Sequence, residues 1–181
     1  GAKRVQTHGA TRAGRRAQRE RGAAGQACAG GGTCSQGSPH AQHAAQSLGV
    51  AAQPHPIDYE RVPGCTYCDP EVGSVGLTER AAREKGLDVQ VGTFPFMPMA
   101  KANIVGEPHG FIKIVAEKQY GEILGIHIIG PKATELVASS VALLAGEMTV
   151  EALVNTMYPH PTLNEVFPEA ARAVLGRALN L

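Results

Sequence analysis

Two apolar runs of strand length, Phe111 to Glu117 and Glu122 to Ile129, are separated by only Lys118-Gln119-Tyr120-Gly121. So short a connection reads as a β-hairpin and commits this part of the chain to antiparallel pairing. Further strands are expected at Cys65 to Cys68, at Val72 to Leu77 and at Asp88 to Phe96, where Val89 and Val91 alternate toward Phe94 or Phe96. Pro95 and Pro98 push that last strand toward an edge or an exit from the sheet.

Helical patterns alternate with these runs. Thr78 is a good N-cap for a helix carrying Glu79, Arg80, Arg83, Glu84 and Lys85, with Gly86 where it would end. Pro131 precedes a helix from Ala133 to about Ala145 with Leu136, Val137, Val141 and Leu144 on one face. A second begins at Thr149 with a partial cap, and a third runs from Thr162 to Leu179. Hairpin-linked strands with helices predict an α+β fold, an antiparallel sheet of about five strands covered by helices. A nucleotide-binding unit would instead show alternating βαβ and a glycine-rich first turn, and neither occurs.

Upstream of Pro54-His55-Pro56 the texture is different. Residues 1 to 55 are rich in Gly, Ala, Gln, Ser and Arg and poor in branched apolar side chains, so they cannot bury enough surface to offset chain entropy. They are expected to be a low-complexity leader, disordered or non-native, with one short helix near His40 to Leu48; residues 56 to 181 form the folded domain. The net charge of +1 hides an asymmetry, with seven bases and one acid before residue 41 and ten bases and fifteen acids after it. A basic nucleic-acid-binding arm on a dimeric interaction module is the rival reading, but no stacking aromatic or recognisable module accompanies the arginines.

No apolar run reaches the ~18 residues of a membrane span and no secretory signal is present, so the chain reads as soluble and intracellular. Four cysteines in 181 residues do not make a disulfide framework. Cys65 and Cys68 on one strand would point their sulfurs apart, and Cys28 and Cys34 have poor zinc spacing, so no metal is expected. Lys101 and Lys113 are expected to be solvated charges on a loop and a strand edge, and His127 a packed or interface residue.

The most informative segment is Tyr158-Pro159-His160-Pro161-Thr162-Leu163-Asn164-Glu165. A histidine between two prolines has little backbone freedom, so its imidazole is aimed in a fixed direction, as a general base requires. Glu165 follows near a helix start, where a turn can bring its carboxylate back to fix the imidazole tautomer and stabilise the imidazolium. The competing reading is a capping box, in which Thr162 and Glu165 merely close the helix N-terminus.

Several segments in order resemble one family. Ile57-Asp58-Tyr59-Glu60-Arg61-Val62-Pro63 and the run from Thr66 to Glu79 are similar to the entry of the interface domain of dihydrolipoamide dehydrogenases, flavin- and nicotinamide-dependent disulfide oxidoreductases. So are Gly125-Ile126-His127-Ile128-Ile129-Gly130, Ala133-Thr134-Glu135-Leu136 and the terminal His160 to Glu165 segment. The resemblance covers about 125 residues.

It implies a homodimer in which this domain completes the partner subunit's active site. His160 would be the acid/base that takes a proton from a dihydrolipoyl thiol, Glu165 its orienting carboxylate, and Tyr158 and Pro161 neighbours of the substrate. The thiolate would then attack a redox disulfide, and electrons would pass through FAD to NAD. The dithiol would come from the lipoyl-bearing acyltransferase of 2-oxoacid dehydrogenase complexes, in the cytoplasm or in a mitochondrial matrix or plastid. The resemblance also implies a cis His160-Pro161 bond.

Mercuric and glutathione reductases share the architecture, but Leu163-Asn164-Glu165 and Ile57-Asp58-Tyr59 favour the lipoamide branch. Tyr158 replaces the family's frequent histidine. The chain has no G-x-G-x-x-G after a strand and no C-x-x-x-x-C pair, so it is expected to be a piece of the parent, inactive alone and binding neither FAD nor NAD.

Overall fold

The computed structural model describes residues 58–179. The expectations for the leader, the helix near His40 to Leu48, Cys28 and Cys34 fall outside the described residues.

Five strands form one sheet: β1 (Gly64–Thr66), β2 (Glu71–Gly76), β3 (Val89–Pro95), β4 (Phe111–Glu117) and β5 (Ile123–Gly130). They are arranged β1-β2-β5-β4-β3, every pair antiparallel. The β4–β5 hairpin turns where the four-residue link predicts, and β3, carrying Pro95, occupies an edge where a missing N–H costs no ladder bond. Five helices accompany the sheet: α1 (Glu79–Glu84), α2 (Ala100–Ile104), α3 (Ala133–Ala145), α4 (Val150–Val154) and α5 (Val166–Val174). The α+β expectation holds.

Strand alternation places one apolar set on the face that α3 and α5 cover. Phe94, Ile112 and Ile128 align across β3, β4 and β5, and Ile114, Ile126 and Val75 across β4, β5 and β2; all six are buried. Each row ends in a glycine lying under a helix. A Cβ on Gly73 would stand 2.4 Å from the carbonyl oxygen of Ala133, and one on Gly92 2.4 Å from both Ala170 O and Val174 N. The glycines therefore let the helix backbones lie directly on the sheet. On the other face a smaller cluster, Ala82, Val89, Val115 and Leu124, packs beneath α1.

Several local expectations are corrected. Lys101 lies in the short helix α2, not in a loop. Lys113 lies on β4, an interior strand, and its ammonium is 2.7 Å from Glu79 Oε2, so it is a paired charge and not an edge solvated one. β1 ends at Thr66, which takes Cys68 off the strand; its thiol donates to Pro70 O at 3.0 Å, and Cys65 and Cys68 are both free and exposed. The partial cap at Thr149 is as expected, its hydroxyl oxygen accepting from Ala152 N at 3.2 Å while Ala152 has no side chain to reciprocate. The last helix begins as a 3₁₀ turn at Leu163–Glu165 and its α portion stops at Val174, because Gly176 takes φ +68°. His127 is packed as expected, its Nε2 3.1 Å from Leu77 O, and burial lowers its pKa. No helix among the described residues is long and apolar enough to cross a membrane.

Candidate active site

The segment from Asn155 to Glu165 links α4 to α5, which pack on each other, so both ends of the link are anchored. At the α4 end the hydroxyl of Thr156 donates to Ala152 O at 2.8 Å. Tyr158 is half-buried against the core, and that burial pushes its phenol pKa up. The chain then turns outward through Pro159, His160 and Pro161, and the His160-Pro161 bond is cis. His160 projects with its side chain 71% exposed, whereas the Glu165 side chain beneath it is 23% exposed.

The structure brings His160 and Glu165 together. Glu165 Oε1 lies 2.8 Å from His160 Nδ1, and Glu165 Oε2 accepts from the Thr162 backbone N–H at 2.9 Å. Each oxygen of Glu165 thus makes a different contact. Thr162 and Glu165 form the capping box, and the same carboxylate reaches the imidazole. Burial alone pushes the Glu165 carboxyl up, but the Thr162 N–H and the His160 side chain together bring it below its ordinary value. An ionised carboxylate only accepts, so a neutral His160 carries its proton on Nδ1 and presents the Nε2 lone pair outward. That arrangement suits proton abstraction from a group approaching from outside the domain.

Residue spacing left one contact unseen. The hydroxyl of Thr162 donates to Pro159 O at 2.8 Å, across the histidine. Its only signal in the sequence is a hydroxyl residue directly after Pro159-His160-Pro161.

The other titratable cluster is of a different kind. Ser74, His127, Lys113 and Thr93 form a row across β2, β5, β4 and β3 on the sheet face opposite α5. Lys113 and Arg83 both bind Glu79 and hold its carboxyl below the ordinary value, so these charges serve one another. Among the described residues no group of three or more His, Cys, Asp and Glu is placed to hold a metal ion.

Residues 62–171 match the model of the pyridine nucleotide-disulphide oxidoreductase dimerisation domain. A dihydrolipoyl dehydrogenase of Rhizobium etli is 44% identical over 152 residues, which is 80% of this chain and 32% of that protein. One from Bacillus subtilis is 41% identical over 145 residues, 76% of this chain and 31% of the relative. Among solved structures, LpdA from Mycobacterium tuberculosis superposes with a TM-score of 0.63 at 26% identity, over 71% of this chain and 28% of that one. The chain spans about a third of the length of the curated relatives it matches.

Proposed function

Because the chain belongs to the pyridine nucleotide-disulphide oxidoreductase family through that family's dimerisation domain, we propose that it supplies His160 and Glu165 as the acid/base pair of a dihydrolipoyl dehydrogenase. The observation that carries this reading is the 2.8 Å contact between His160 Nδ1 and Glu165 Oε1 on an imidazole that is otherwise largely exposed. A base that faces outward from its own domain acts on a substrate held by another body. In the proposed homodimer that body is the second subunit.

His160 Nε2 accepts the proton of a dihydrolipoyl thiol, and the Glu165 carboxylate stabilises the imidazolium that results. The thiolate left behind is the nucleophile for exchange with a disulfide. Tyr158 and Pro161 flank the base and shape the approach of the dithiol. The described residues contain no parallel βαβ unit opening on a glycine-rich turn, the arrangement that cradles a dinucleotide pyrophosphate. FAD and NAD would carry the electrons in the parent, and the role proposed for this domain is proton transfer. The lipoyl-bearing acyltransferase of a 2-oxoacid dehydrogenase complex is the proposed source of the dithiol. Two exposed free thiols, Cys65 and Cys68, suit a reducing compartment, the cytoplasm or a mitochondrial matrix or plastid.

A chimera tests the assignment. Residues 62–179 replace the matching segment of the Bacillus subtilis dihydrolipoyl dehydrogenase, and NAD-linked oxidation of dihydrolipoamide is measured beside reduction of oxidised glutathione. Dimeric protein active only with the lipoyl substrate is expected. A folded dimer that ignores dihydrolipoamide would overturn the substrate assignment.

A further inference from the structure

Thr162 touches the support of both members of the pair. Its backbone N–H donates to Glu165 Oε2 at 2.9 Å, and its hydroxyl donates to Pro159 O at 2.8 Å. The loop it closes, Pro159-His160-Pro161-Thr162, is poor in donors, because neither proline has an N–H. In an ordinary four-residue turn the fourth N–H would bond the first carbonyl. Here that N–H is committed to Glu165, so the hydroxyl takes its place on Pro159 O. The loop bearing the imidazole and the carboxylate beneath it are thereby tied to the same residue.

We propose that Thr162 is a positioning residue for the pair, its hydroxyl holding the His160 loop in register with the carboxylate that its N–H holds. This rests on the acid/base reading of His160 and Glu165 given above. Glu165 Oε1 can select the Nδ1–H tautomer only while the imidazole stays within hydrogen-bond reach. Without the hydroxyl, Pro159 O is left to water, the loop gains freedom, and Nδ1 leaves the carboxylate for part of the time. A neutral imidazole released to water prefers its proton on Nε2, the nitrogen that must be vacant to accept one.

The test is ¹⁵N NMR of the 181-residue chain at a pH where the imidazole is neutral, with His160 identified as the ring signal missing from His160→Gln. Wild type is expected to show predominantly the Nδ1–H tautomer. Thr162→Val keeps the branched shape and the backbone N–H but lacks the hydroxyl. It is expected to shift the tautomer ratio toward Nε2–H by roughly two- to tenfold, the range one hydrogen bond commands. Thr162→Ser is expected to restore the wild-type ratio. Should the valine variant lose its folded amide spectrum, Thr162→Ala against Thr162→Ser makes the same comparison. If wild type shows Nδ1–H and the hydroxyl-free variants show it equally, the positioning role is overturned and the pair stands. If wild-type His160 itself carries its proton on Nε2, the pair is overturned and the role of Thr162 with it.

Discussion

Glu165 divides its two oxygens between a backbone N–H and an imidazole, and the division makes its contribution to stability depend on pH. Its carboxyl is held below its ordinary value in the folded chain. The stability it contributes is therefore fully present above the unfolded value and is lost as pH falls through the folded one. Glu165→Gln keeps an acceptor for the Thr162 N–H but loses the charge, so it is expected to lower stability by about 0.3–1 kcal/mol at neutral pH, and the gap should close in acid. Urea denaturation of both proteins between neutral pH and pH 3 measures it. The histidine with its prolines and the glutamate five residues on were legible in the sequence, because proline restricts the backbone whatever surrounds it. The Thr162 bond to Pro159 was not, because it depends on where the intervening turn places a carbonyl.

At the scale of elements, α3 begins without a cap of its own. Lys132 is in the left-handed region at φ 55° and offers no side-chain acceptor, and Glu71 on β2 fills the gap, its Oε2 accepting from Thr134 N at 3.0 Å and from the Thr134 hydroxyl at 2.6 Å. Glu71→Ala should destabilise the fold by about 1 kcal/mol, as removal of an N-terminal acceptor does. Circular dichroism during urea titration reads it, and unchanged stability would show that water serves Thr134 equally well. Gly92 is the sharper case, since a Cβ there meets the α5 backbone at 2.4 Å. Gly92→Ala is expected to cost about 1–3 kcal/mol by forcing β3 and α5 apart, measured by the same titration. The long apolar strands and α3 were legible because their periodicity persists over several residues. Five-residue α2, between Pro98 and Gly106, offers less than two turns of pattern. The position of β4 inside the sheet, and with it the pairing of Lys113, depends on strand order, which periodicity does not encode.

At the scale of the molecule, the sheet takes up much of the apolar surface of α3 and α5. Leu136, Val137 and Leu144 of α3 and Val166, Phe167 and Val174 of α5 are buried, while Val141 and Leu143 of α3 are only partly so. What the domain leaves outward near the candidate site is the segment bearing Met157, 95% exposed, and His160. If that segment serves a dithiol site on another subunit, it acts on the thiol proton and not on the nicotinamide. The most direct test compares two reactions of the chimeric dehydrogenase before and after His160→Gln: NAD-linked oxidation of dihydrolipoamide, and NADH-driven reduction of ferricyanide, which needs no thiol deprotonation. The first is predicted to fall by about 10² to 10⁴-fold, the worth of a general base, and the second to stay unchanged. An equal fall in both, or a fall in neither, would contradict the assignment of His160 as the base.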